Sequence, residues 1–356
     1  NYVNGTYAAY AVAVLNALIG SVDRKGGYNK GGGGMGKPAK GPYDLASFPG
    51  KRKASGVAIS REKMAYEKTA EFKRKKEQTG NGYPAKRPWF PFSKGGLCVE
   101  AMSGVDQKYP YPCNMLVTYF FNPVYSIPGG PRYSETLKDP GKVPLHVSID
   151  VGVNESNVYA DYIVPDVTYL EGHYGWLNPH APALKFTGIR TPAVEPLTGR
   201  TKDDRPFCLE TFFVDLAEAA GLPGFGQEAI PHKDGKMLPL HRAEDFYVRA
   251  IGNLAVGNKI PEAQAEEIRF VERNYPVAAF KGLLNEKEWS QTCYLLSRGG
   301  IFKKYEDVFD GENFKHGVQK VLLYNEELAG TRNALTGALF PGSLTYLSPT
   351  ATSGKA

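Results

Sequence analysis

The run Met115-Leu116-Val117-Thr118-Tyr119-Phe120-Phe121, cut off by Asn122-Pro123, decides how this chain is read. It is apolar on both faces, too short for a buried helix and rich in β-formers. It reads as a central strand of a parallel sheet, covered on both sides. Further on comes His146-Val147-Ser148-Ile149-Asp150, the end of a second strand from about Leu145, and then Tyr162 to Val164. Open α/β sheets bind ligands at the tips of such strands. Asn122 and Asp150 are both tip residues. Together they outline a nucleotide half-site, with a tight turn after one strand and a carboxylate after the next. That carboxylate can accept hydrogen bonds from a ribose or a base edge.

The same unit, residues 100–225, carries the matching connections. A Pro/Gly turn follows Pro123, and Ser134 to Leu137 starts a crossover helix. Strand, crossover and strand point to parallel α/β with right-handed crossovers. Glu210 to Ala220 reads as an amphipathic helix ended by Gly221 and Pro223. The fold class is α/β: a parallel sheet flanked by helices, with a basic insertion and a helical C-terminal part.

The chain has 356 residues and is 42% hydrophobic, enough for a large core. The 40 Gly and 26 Pro imply long irregular connections. A net charge of +6 is too weak to argue for nucleic acid. Cys98, Cys113, Cys208 and Cys293 lack metal-site spacing and read as core or surface thiols. No run of about 18 apolar residues could span a membrane, and no secretory leader is seen.

Outward from the core, residues 1–50 open with a helix over Thr6–Ile19 ended by Gly20. A glycine-rich loop follows, in which Gly31 to Lys37 matches a phosphate-loop pattern. Pro38 stands where that motif needs Ser or Thr, and no strand precedes it, so it reads as a flexible or cofactor-covering loop. Residues 51–99 are a basic insertion. Ser60 caps a helix to about Lys76, and Glu62, Glu67, Glu71 and Glu77 interleave with its bases as on a solvated surface. Arg87-Pro88-Trp89-Phe90-Pro91-Phe92 reads as a packing anchor. Residues 226–356 read as helices and loops. Helices run from Pro261 to Arg273, from an Asn285/Glu288 capping box through Leu296, and from about His316 to Leu328. The chain begins at Asn1 without a methionine, inside what reads as a working motif. Its Gly/Ser/Thr-rich tail from Gly337 has no structural stop, so a piece of a longer polypeptide is expected.

Three stretches resemble one family. Asn4-Gly5 with the helix to Leu18-Ile19-Gly20 and on to Gly26-Gly27 is similar to the opening motif of the third domain in molybdopterin oxidoreductases, the dimethyl sulfoxide reductase family. Phe121-Asn122-Pro123 resembles that family's strand-end "NP". Asp150, Asn154-Glu155-Ser156, Ala160-Asp161-Tyr162-Ile163-Val164-Pro165 and Tyr169-Leu170-Glu171-Gly172 resemble its long signature after the second strand. The basic insertion and Arg87–Phe92 are most similar to the branch that reduces tetrathionate.

The resemblance implies a Rossmann-like third domain that binds the guanosine end of molybdopterin guanine dinucleotide, with molybdenum or tungsten. It places Asn122 and Pro123 at the phosphate-side turn and Asp150 on guanine N–H groups. Asn154 falls near ribose or base with Glu155 beside it, and Asn1 and Asn4 lie close to the same cofactor. Asn154 and Ser156 stand where the family pattern has Thr. The implied activity is two-electron S–S cleavage of tetrathionate or a related sulfur oxyanion in anaerobic respiration. Electrons would come from a 4Fe-4S centre outside these residues, with iron–sulfur and membrane anchor subunits as partners on the periplasmic side. The implied molybdenum ligand has no match here, so no catalytic or metal residue is assigned and the segment alone is expected to be inactive. The alternative is a basic nucleotide- or polyanion-binding module without redox chemistry, which uses the 51–94 segment and is tested by charge reversal at Lys73, Arg74 and Lys75. Of the remaining polar residues, Glu171 and His173 follow a strand and are open between an active-site funnel and a structural hydrogen-bond role, His232 and His241 have no motif support, and Asp161 reads as a turn or helix-contact residue. Arg190, Arg200 and Arg205 lie in a polar loop, where solvated charges are the commoner reading and steering of a substrate anion is the sharper one.

Overall fold

The computed structural model describes all residues except 1–4, 29–32, 35–37, 49, 52–55, 94, 173, 180–185, 281, 303–308, 315–321 and 347–356. The first element, α1 (Gly5–Leu18), carries no charged residue. Its Tyr7 and Tyr10 hydroxyls donate to the Pro341 and Leu322 carbonyls. A short strand, β1 (Gly33–Gly34), follows.

The basic insertion is shaped differently from its sequence pattern. Ser60 caps no helix, because its hydroxyl donates to Glu62 over 2.6 Å. Arg61 and Lys63 sit in the left-handed region, so the chain turns there. The buried Arg61 side chain pairs with Glu100. Helix α2 (Ala70–Thr79) starts later, capped by Thr69, whose Oγ1 accepts the Phe72 N–H at 3.1 Å. Lys75 is held by Glu71 and the Pro84 carbonyl. Trp89 packs with Tyr66, Ala85 and Tyr109 in a small core, as an anchor should.

Next come α3 (Cys98–Asp106), β2 (Leu116–Tyr119), the single turn α4 (Pro123–Ser126), α5 (Tyr133–Lys138), β3 (His146–Asp150) and β4 (Tyr162–Pro165). The sheet order is β2-β3-β4 and both pairings are parallel, with Leu116 opposite His146 and Asp150 opposite Pro165. The central strand is therefore β3, buried from His146 to Ile149. The Met115–Phe121 run is an edge strand among the described strands, contrary to the sequence reading. Met115 is 51% exposed, and Tyr119 and Phe120 are each 38% exposed. Apolar side chains are common on surfaces, so an apolar run alone does not separate a centre from an edge. The crossover helix α5 packs Tyr133 and Leu137 against Met102 of α3.

The rest is a second, mostly antiparallel layer. Strands β5 (Gly175–Pro179) and β6 (Phe186–Arg190) precede α6 (Leu209–Ala219), and β7 (Gly226–Pro231) pairs with β8 (Met237–Leu240) in a hairpin. Helices α7 (Ala243–Gly257), α8 (Ala265–Asn274) and α9 (Glu286–Leu296) follow, then β9 (Gly300–Phe302), β10 (Phe309–Asp310), β11 (Asn313–Phe314) and α10 (Glu326–Ala329). The larger sheet runs β1-β5-β6-β9. The hairpin and α7 are additions to the expected helices and loops. Helix α8 starts after Pro261 because Glu267 accepts the Gln264 N–H in a capping box. The Asn285/Glu288 box of α9 is where the sequence puts it. Of the helix expected over His316–Leu328, residues 316–321 lie outside the described residues. Leu322 to Tyr324 are not helical, and α10 begins only after Asn325 caps Leu328 N–H at 2.9 Å. The main core joins α7, α8 and α9 to Tyr174 and Trp176.

Candidate functional site at the ends of the parallel strands

Strands β2 and β3 end side by side and leave a crevice of about 390 Å3. Phe120, Asn122, Asp150, Val151, Asn154, Thr168 and Tyr169 line it. Asn122, Asp150 and Asn154, chosen from sequence, thus come together. Glu155 joins through Asn122, whose Nδ2 donates to its Oε2 at 2.6 Å and holds that carboxyl below the usual carboxylate range. Pro123 is buried in the first turn of α4 and does not line the crevice. Asn1 and Asn4 lie outside the described residues.

A chain of amides fixes the polar rim. Asp150 Oδ1 accepts the Val151 N–H at 2.8 Å, and Oδ2 accepts from Asn154 Nδ2 at 3.0 Å. Asn154 Oδ1 accepts the N–H groups of Ser156 and Asn157 at 3.0 and 3.1 Å. Buried Asn157 accepts the Asn154 N–H at 2.7 Å and donates to the Gly152 carbonyl at 2.9 Å. Each carboxylate oxygen offers two lone-pair directions, so Asp150 keeps acceptor capacity for a ligand with two adjacent donors. The loop after β3 is held by the side chains of Asn154, Ser156 and Asn157, the last of which opens a single 3-10 turn over Asn157–Tyr159. Sequence reasoning assigned no role to Ser156 or Asn157. The Asn-x-x-Asn spacing over 154–157 was the signal, since such side chains commonly close their own loops.

The other candidates fall into structural places. Asp161 accepts the His146 N–H at 2.7 Å. Glu171 accepts the Thr168 and Leu197 N–H groups at 2.9 Å each. His232 pairs with Asp234, and His241 lies between Glu218 and Asp203. His173 is outside the described residues. Arg200 faces Glu195 and Asp204, and Arg205 faces Asp203 and Asp215. Both arginines are neutralised locally, which weakens them as anion guides. They border a larger cavity of about 450 Å3, whose wall also carries Glu171, Glu195, Glu210 and Glu244. Cavity size therefore does not pick the site; the convergence of polar side chains at parallel strand ends does. None of Cys98, Cys113, Cys208 and Cys293 forms a disulfide, and burial pushes the Cys208 thiol up to about 11. Among the described residues no cluster of His, Cys, Asp and Glu is arranged to hold a metal.

A parallel α/β unit with a polar crevice at its strand ends is the class that fold and site define. No family model matches the chain. It is 38% identical to a tetrathionate reductase subunit of Salmonella typhimurium, over 99% of this chain and 35% of that protein. Against the corresponding tetrathionate reductase subunit of Archaeoglobus fulgidus it is 36% identical, over 98% of this chain and 32% of that protein. A selenate reductase subunit of Mesobacillus selenatarsenatis is 35% identical, over 97% of this chain and 34% of that protein. The chain is a homologue of the catalytic subunits of these molybdopterin oxidoreductases, as the sequence motifs imply, and spans about a third of their length.

Proposed function

We propose that this chain forms the part of a molybdopterin oxidoreductase that binds the guanosine end of a molybdopterin guanine dinucleotide. The observation that carries the reading is the meeting of Asp150, Asn154 and Asn122 in one crevice at the ends of parallel strands. The residues fit the group. A carboxylate with spare acceptor directions suits the adjacent N1–H and amino donors of guanine. Asn154 holds that carboxylate in place from one side, and Asn122 supplies an amide beside the turn into α4.

The substrate is tetrathionate or a related oxyanion, in keeping with the names of the relatives. When bound, the metal–dithiolene end of the cofactor would supply the redox chemistry, in which two electrons break an S–S bond and tetrathionate yields two thiosulfates. Asp150, Asn154 and Asn122 bind and orient; they transfer no electrons. Electrons arrive from a 4Fe-4S centre outside these residues and from an iron–sulfur partner subunit, held by a membrane anchor subunit on the periplasmic side. Among the described residues no helix is long and apolar enough to cross a membrane.

The test is nucleotide binding by the purified apoprotein. Guanosine monophosphate should bind more tightly than adenosine monophosphate, and Asp150→Ala should erase the difference. Equal wild-type affinities would overturn the reading.

A further inference from the structure

Two aromatic rings line the same crevice as Asp150. Phe120 follows β2 with its backbone in the left-handed region, φ 44°, which is unusual and strained for a bulky residue. That turn stacks the Phe120 ring on Tyr119, with centroids 4.6 Å apart and planes 14° from parallel. It also brings Phe120 edge-on to Tyr169 at 6.5 Å. Tyr169 is 64% exposed, yet the loop that carries it is tightly held. The Arg190 guanidinium lies 5.2 Å from its ring centre. The Leu170 carbonyl accepts the N–H groups of Ala193 and Val194 at 2.7 and 3.1 Å. Glu171 ties Thr168 to Leu197. At Gly172 an added Cβ would meet Val167 Cγ2 at 2.2 Å, so the loop closes tightly there. Exposed rings fixed this firmly do little for the core. They give a planar ligand a preformed face, with little ordering cost on binding.

We propose that Tyr169 and Phe120 form a stacking platform for the purine base. The proposal rests on the reading that the crevice takes the guanosine end of the cofactor. It divides the labour within that site. The platform supplies affinity common to any purine, because every base has a π-face. Asp150 supplies the preference for guanine, because only its donors match the carboxylate.

The experiment titrates purified full-length apoprotein with guanosine and adenosine monophosphate. Wild type is compared with Tyr169→Leu, Tyr169→Trp, Phe120→Asn and Asp150→Ala. Leu keeps apolar cover without a π-face, and Trp restores one. Asn removes the Phe120 ring while tolerating the left-handed backbone. Tyr169→Leu and Phe120→Asn should weaken both nucleotides by the same factor, about ten-fold or more for Tyr169→Leu. Tyr169→Trp should recover binding, and the guanine preference should persist in all three. Exposure of Tyr169 keeps these effects separate from folding, which thermal melting of each variant verifies. Unchanged affinity in Tyr169→Leu, with the preference still erased by Asp150→Ala, would overturn the platform and leave the guanosine reading standing. A loss confined to guanosine monophosphate would also overturn it. No nucleotide binding by wild type would overturn both.

Discussion

Ser156 donates its hydroxyl to Asn122 Oδ1 over 2.6 Å, fastening the loop after β3 to the tip of β2. The same hydroxyl oxygen accepts the Val124 N–H at 2.9 Å. Ser156 is almost fully buried, so water cannot replace it cheaply. Ser156→Ala leaves one donor and one acceptor without this partner, at a cost of about 1–3 kcal/mol. Thermal melting should show a clear drop. Affinity for guanosine monophosphate should also fall, because the Asn122 amide loses one of the two bonds that orient it and keeps only the one to Glu155. An unchanged melting temperature would mean that the two strand tips are held together by something other than this hydroxyl.

His241 lies with Nδ1 3.0 Å from Glu218 Oε1 and Nε2 3.1 Å from Asp203 Oδ2. Donating to both carboxylates requires both ring N–H groups, hence the imidazolium. The Glu218 hydrogen bond, aided by Asp203 and opposed by burial and by Arg205, raises the His241 pKa. A folded value above the unfolded one gives stability that is full below about pH 6.5 and lost as pH rises through the folded value. The melting difference between wild type and His241→Gln should therefore be largest in mild acid and shrink above neutrality. A difference independent of pH would show that the ring is held as the neutral form.

The parts of this fold that were legible are those written in local signals. The end of β3, the start of β4, the Asn285/Glu288 cap and the tip positions Asn122 and Asp150 all follow from short patterns, and the structure keeps them. Strand order was not legible, because an apolar run carries no record of how many neighbours it has. The β7–β8 hairpin was hidden by Pro231 and Pro239, which argue against strands, yet the ribbon has only two strands, so neither proline lies in the interior of a sheet. Helix α7 was hidden by Gly252 and Asn253, which read as breakers. Gly252 is there for packing, since a Cβ on it would come within 2.9 Å of Leu284, and Asn253 for its hydrogen bonds to Tyr43. The platform was missed because Phe120 and Tyr169 look like core residues when their exposure is unknown.

Asp106 joins α3 to the crossover helix beneath the parallel sheet. Its Oδ1 accepts from Thr136 Oγ1 at 2.8 Å and faces Lys142 Nζ at 2.7 Å. Burial alone would raise its pKa, but the hydrogen bonds from Lys142, Gln107 and Thr136 outweigh it and hold the carboxyl at about 2. A folded value below the unfolded one gives stability that is present above about pH 4 and lost as pH falls through the folded value. Asp106→Asn should be less stable than wild type at neutral pH, and the gap should close during acid titration. A gap that stayed constant down to the acid transition would assign the loss to geometry rather than charge.

Asn253 sits in the middle of α7 with no exposed surface, and its amide behaves as a second backbone. Nδ2 donates to the Tyr43 carbonyl at 2.7 Å, and Oδ1 accepts the Tyr43 N–H at 3.0 Å. The Tyr43 hydroxyl then donates to Glu288 of α9 at 2.6 Å. One residue of an irregular segment is thereby locked to two core helices. Asn253→Leu approximates the volume but orphans both Tyr43 backbone groups in a dry site, for a loss of roughly 2–5 kcal/mol. That is a large share of a domain's stability. The urea midpoint should fall at unchanged slope. Gly41→Ala probes the same contact from the other side, because its Cβ would meet Asn253 Oδ1 at 2.2 Å. If both substitutions act through one contact, their combined effect is smaller than the sum of the two. Additive losses would place the Gly41 effect in its own backbone and separate it from Asn253.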